Sequence, residues 1–207
     1  MNAGRTVFSQ LMDYLPTYEF EKCVNRYSGD YRSRSLSCRD QFLAMAFAQL
    51  TYRESLRDIE TCLRSIGSKL YHMGFRSTIA RSTLADANES RDWRTCDRDQ
   101  SLRIVRKDAR FRSLVCVHPL LSLLRRAHQR KGTSDNAVKT QIWIAVSVYV
   151  LVAIVRKRLG LEMSLYQILQ IFSITLLEKL PILSVLEAFD SRSDLLDNSN
   201  QLILFDF

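Results

Sequence analysis

Ile142-Trp-Ile-Ala-Val-Ser-Val-Tyr-Val-Leu-Val-Ala-Ile-Val155, closed by Arg156-Lys157-Arg158, is the stretch on which the fold turns. At about 1.5 Å per residue the apolar run covers roughly 21 Å as a helix, short of the roughly 30 Å hydrocarbon core of a bilayer. A buried core helix is therefore expected in preference to a membrane span. Being apolar on every side, it needs cover on every side. The segment that follows begins with Ser164 and Gln167 at capping-box spacing and carries Leu165, Ile168, Leu169, Phe172 and Leu176, so it can cover one side only. The remainder is expected to leave an apolar patch and to drive self-association.

Composition agrees with a helical chain. Of 207 residues, 46% are hydrophobic and 25% charged, with only 6 Gly and 3 Pro, which excludes collagen-like and disordered classes and makes an all-β sandwich a poor fit. The 5 cysteines, at positions 23, 38, 62, 96 and 116, form no Cys-x-x-Cys pair, and the N-terminus does not read as a secretory signal, so a reducing, cytoplasmic setting is expected. The net charge of +8 is unevenly placed: +2 over residues 1–93, +8 over 94–131 and −2 over 132–207. The whole excess thus lies in one middle segment, where Lys and Arg can supply salt-dependent phosphate contacts. Out-of-frame reading of an Arg-rich gene would yield the same mixture.

Nearer the N-terminus, Val7, Phe8, Leu11, Met12 and Leu15 recur at helical spacing, and Pro16 closes that helix. Ser37 with Asp40 and Thr51 with Glu54 have capping-box spacing and start two further helices; Gly67 is a stop for the second of them. Thr83 with Asp86 starts another. Short helices joined by small segments fit a helix-turn-helix-like module with residues 82–92 as the recognition helix. Its candidate DNA contacts are Arg76, Arg81, Ser82, Thr83, Asn88, Arg91 and Arg94, because Arg and Asn carry the bidentate geometry that groove reading uses. An ordinary helical bundle with solvated polar faces is the alternative.

The phrases Gln49-Leu-Thr-Tyr-Arg-Glu-Ser-Leu-Arg-Asp-Ile-Glu60, Lys69-Leu-Tyr-His-Met-Gly74, Arg81-Ser-Thr-Leu-Ala-Asp-Ala-Asn-Glu89 and Arg91-Asp-Trp-Arg94 closely resemble bacterial insertion-sequence transposases. The group is the Asp-Asp-Glu class with a Tyr-Arg-Glu-Lys signature. Ser134-Asp-Asn-Ala-Val-Lys-Thr-Gln-Ile-Trp-Ile-Ala145 and the region after Leu159-Gly-Leu161 resemble the helices that follow the catalytic glutamate of that family. The resemblance implies binding to DNA at element ends by the N-terminal region. In the family, a ribonuclease-H-like sheet separates the two regions and carries the catalytic acids; here only residues 95–132 join them. No Tyr is followed by Arg at +3 and Glu at +7, and the connector's acids are Asp97, Asp99 and Asp108 alone. Two-metal phosphoryl transfer, for which the family uses magnesium, needs several converging carboxylates. No catalytic residue, metal ligand or cofactor is assigned to this chain.

The resulting expectation is a mainly α protein without a complete ribonuclease-H-like sheet: a DNA-binding-like helical domain (1–94), an irregular basic connector (95–132), a helical remnant of the catalytic domain (133–189) and a tail (190–207). Cys96, Cys116, His118 and His128 lack structural-zinc spacing. Gln201, Leu202, Leu204 and Phe205 resemble the pentapeptide by which bacterial DNA-processing proteins dock on the replication sliding clamp, or they pack locally. The expected role is DNA binding in transposition by an internally deleted transposase without strand transfer. Its rivals are a non-catalytic protein that interferes with intact transposase, and a membrane-associated helical peptide. A steep loss of DNA affinity with salt separates the first two from the last.

Overall fold

The computed structural model describes residues 4–31, 33, 35–96 and 134–189. They are mainly helical, with no strand among them. In chain order the α-helices are α1 (Val7–Met12), α2 (Thr17–Arg26), α3 (Cys38–Leu50), α4 (Leu56–Ser65), α5 (Arg81–Ser90), α6 (Asp135–Arg158) and α7 (Leu165–Thr175), followed by a short helix at 182–189. Single 3-10 turns occupy Gly67–Lys69, Tyr71–Met73 and Trp93–Cys96.

Helix α6 runs through the centre of the core and is longer at both ends than its apolar run. By length and composition it could cross a membrane, yet 67% of its apolar window is buried inside the protein. Ile144, Val148, Leu151, Val152 and Val155 are each no more than 3% exposed. The expected bare patch on this helix is absent: no residue from Ile142 to Val155 is exposed. The cover comes from the N-terminal helices, since α6 packs on α1, α3, α5 and the Trp93–Cys96 turn as well as on α7. The missing sheet is thus not needed to shield it. Buried side chains from Val7 to Leu186 form one cluster, in which Phe8, Phe42, Leu151 and Phe172 are almost wholly enclosed.

Chain ends of helices explain how the two regions lock together. The first amides of α1 find no partner within their own helix. Val7 N–H donates to the Glu178 carbonyl (2.9 Å) and Phe8 N–H to that of Leu176 (3.0 Å), while Gln10 donates through Nε2 to the Leu180 carbonyl (2.7 Å) and accepts from the Ile182 amide (3.1 Å). The N-terminus of one region is therefore capped by the C-terminal carbonyls of the other.

Capping expectations divide. Ser164 and Gln167 form the full reciprocal box. Ser37 caps α3, accepting from Asp40 N–H (3.0 Å), but the second Asp40 oxygen takes the Arg76 amide (3.3 Å) and ties a distant loop to this helix start. Thr51 starts no helix; it is the C-cap of α3, whose end is set by Tyr52 in the left-handed region (φ 55°) and by Arg53 N–H donating to the Ala48 carbonyl (2.8 Å). Ser55 then caps α4. Helix α5 begins at Arg81 after Ala80, ahead of the Thr83 start expected from spacing. Gly67 follows the Ile66 C-cap of α4 and opens a 3-10 turn. Pro16 closes nothing by itself: α1 ends at Met12, and Pro16 precedes α2, a helix with a stripe of only Phe20, Cys23 and Val24.

Gly29, just past α2, is required by a close approach. A Cβ there would lie 2.4 Å from Thr95 Cγ2 and 2.7 Å from Cys38 Sγ, both of which belong to residues 2% exposed. Gly29→Ala is expected to cost about 1–3 kcal/mol through overpacking, read as a lower urea midpoint with unchanged slope.

Candidate nucleic-acid interface

The connection between α4 and α5 runs from residue 66 to 80 and contains two 3-10 turns, far longer than the three- or four-residue turn of a helix-turn-helix unit. The expected tight motif is replaced by two helices that pack with an extended linker between them. Gly74 (φ 93°) ends the second 3-10 turn, and Phe75 N–H donates back to the Leu70 carbonyl (3.1 Å), which holds the linker against the core through Leu70, Met73 and Phe75.

That packing brings the first turns of α4 and α5 to one open depression, lined by Ser55, Leu56, Arg57, Arg81, Ser82 and Ala85. Arg57, Arg81 and Ser82 are exposed. Ala80 offers no side-chain acceptor, so the first-turn amides of α5 lack a side-chain cap, and the positive end of the helix dipole faces the same opening. The guanidinium groups of Arg57 and Arg81 form no ion pair among the described residues. Arg57 lies outside the buried stripe of α4, and its place beside Arg81 depends on the linker path. Arg76 is exposed, with its backbone held by Asp40; Thr83 is half-buried.

Two of the expected DNA contacts are internal. Asn88 is 1% exposed, its Oδ1 accepting from Gln41 Nε2 (2.7 Å) and its Nδ2 facing Met45 Sδ (3.8 Å). It cannot reach a base edge. Arg91 has a side chain 12% exposed and spends its donors on Gln41 Oε1 (2.7 Å), Ser33 Oγ (2.9 Å) and the Leu36 carbonyl, with Asp30 3.8 Å away. It is a clamp between α5 and the loop before α3. The end of α5 is closed from a distance: Asn136, in the first turn of α6, donates through Nδ2 to the carbonyls of Asn88 (3.1 Å), Glu89 (3.0 Å) and Arg91 (2.5 Å) and accepts from Trp93 N–H (3.3 Å).

Beyond this cap, Trp93 stacks on Trp143 of α6 with centroids 6.3 Å apart and planes 14° from parallel. Arg94 lies 5.5 Å and Lys139 5.8 Å from the centre of the Trp93 ring. Arg94 is exposed and lies 3.9 Å from Asp92.

For the magnesium chemistry of the family, the described residues offer no group of three or more His, Cys, Asp or Glu side chains that could hold a metal. Asp97, Asp99 and Asp108, the basic stretch at 98–131, and the clamp-like Gln201, Leu202, Leu204 and Phe205 lie outside the described residues.

No curated protein and no solved structure matches the chain. Residues 3–76, which run from the N-terminus of α1 to the loop before α5, match the family model of a domain of unknown function (DUF4372). Over those residues the chain is similar to that domain, which is found in transposase-like proteins.

Proposed function

We propose that this protein binds DNA in the context of transposition, as a derivative of an insertion-sequence transposase that has kept DNA contacts without strand transfer. The observation that carries the reading is the paired, ion-pair-free Arg57 and Arg81 at the adjoining first turns of α4 and α5, beside the uncapped amides of α5. Helix N-termini and arginines bind phosphate oxygens with charge-assisted hydrogen bonds, so this corner suits a DNA backbone. The match of residues 3–76 to a domain of transposase-like proteins supports it, as does a +8 segment starting at Arg94. The proposal of no strand transfer rests on the sequence, which lacks the Tyr-Arg-Glu-Lys signature.

The test is fluorescence anisotropy of a labelled duplex with the full chain at several salt concentrations. Affinity is expected to fall steeply as salt rises. The double variant Arg57→Ala, Arg81→Ala should bind about tenfold more weakly and lower the salt slope by about 2, one unit for each lost phosphate contact. Binding that is indifferent to salt, or a double variant that stays folded with unaltered affinity, overturns the reading.

A further inference from the structure

We infer that the Trp93–Trp143 pair, flanked by Arg94 and Lys139, is a stacking platform for an unpaired base of single-stranded DNA. The inference rests on the DNA-binding reading and names a second surface for it, distinct from the Arg57–Arg81 corner. Four observations converge. Both indoles are half-buried, so each keeps some exposed surface, although Trp143 packs on one side against the core cluster. Their near-parallel stack is held from two elements, Trp93 from the 3-10 turn and Trp143 from α6, and Asn136 pins the Trp93 backbone from below. Two cations from those same two elements meet over one ring. Finally, Arg94 is the first residue of the stretch that holds the chain's entire positive excess.

A base has two π faces and its nucleotide a phosphate one sugar away, so an aromatic surface with adjacent cations matches both parts. In a duplex those faces are covered by neighbouring base pairs, and only an unpaired strand presents them. Arg94 and Lys139 do have carboxylate partners, Asp92 at 3.9 Å and Asp135 at 2.5 Å. Both pairs are well exposed, with side chains 37–81% accessible, and exposed pairs of this kind contribute little, so a phosphate can take the cations over.

The chain contains only 2 tryptophans, so its indole emission reports this platform and nothing else. Titration with a thymidine oligonucleotide of about twenty nucleotides should quench that emission in step with binding followed by anisotropy of a labelled copy in separate samples. A duplex of equal length should bind with little quenching. Trp143→Leu should weaken single-strand binding at least about fivefold and leave duplex affinity unchanged. Because that variant removes packing as well, Arg94→Gln with Lys139→Gln, two exposed changes, provides the second arm and should weaken single-strand binding in the same direction. Single-strand binding without quenching, or equal quenching by the duplex, overturns the platform and leaves the duplex-binding reading standing. Failure of both oligonucleotides to bind removes both readings together.

Discussion

Leu151→Ala is expected to lower unfolding stability by about 3 kcal/mol, and to do so in a single transition that the N-terminal and C-terminal regions share. Leu151 is 1% exposed and lies in the apolar run of α6, within the core cluster. Removing a buried leucine side chain typically costs 2–5 kcal/mol, the loss of apolar burial plus the cavity left behind. The shared transition follows from the single cluster of buried side chains, which runs from Val7 to Leu186 across both regions. Tryptophan emission and far-ultraviolet circular dichroism in urea should therefore have coincident midpoints, both shifted by the variant. Two separate transitions, with only one displaced, would show that the regions fold independently.

Arg91→Ala should also cost about 3 kcal/mol, for a different reason. The guanidinium bridges Gln41, Ser33 and the Leu36 carbonyl with a side chain 12% exposed, and truncation leaves those acceptors without their donor in a place water reaches poorly. Arg91→Lys should recover little, because a single ammonium cannot span acceptors on two elements that a planar fork reaches together. Where the folded Ala variant can be assayed, its affinity for duplex DNA should remain within about twofold of the parent, since the Arg91 side chain is only 12% exposed and its guanidinium is engaged inside the fold. A large affinity loss with stability intact would return Arg91 to the binding surface.

Local signals were the legible ones. Ser164 with Gln167 and the start at Ser37 depend on atoms three residues apart, and the buried nature of α6 follows from a run with no polar side. What sequence could not show was which partner covers that run, because the covering helices α1, α3 and α5 precede it by a long stretch of chain. Asn88 and Arg91 were misplaced for the same reason. An arginine or asparagine at the end of a polar helix looks identical whether it faces water or meets Gln41 from α3 and Asn136 from α6. Thr51 failed as a helix start because capping spacing is common, and here Tyr52 had already taken the left-handed conformation that ends α3. Arg57 is the converse case, a residue of plain appearance given its place by a linker whose path only tertiary packing determines.

Asn136 has a consequence for how this architecture tolerates change. Its side chain joins the carbonyls that end α5 to the amide of Trp93, so Arg91 and Asn136, 45 positions apart in sequence, are fastened to each other directly. A segment inserted between fastened ends meets only the entropy of closing a loop, which rises by about 0.6 kcal/mol for each doubling of length. Lengthening the chain between these two positions is thus expected to lower stability by about that increment alone, read as a small shift in urea midpoint.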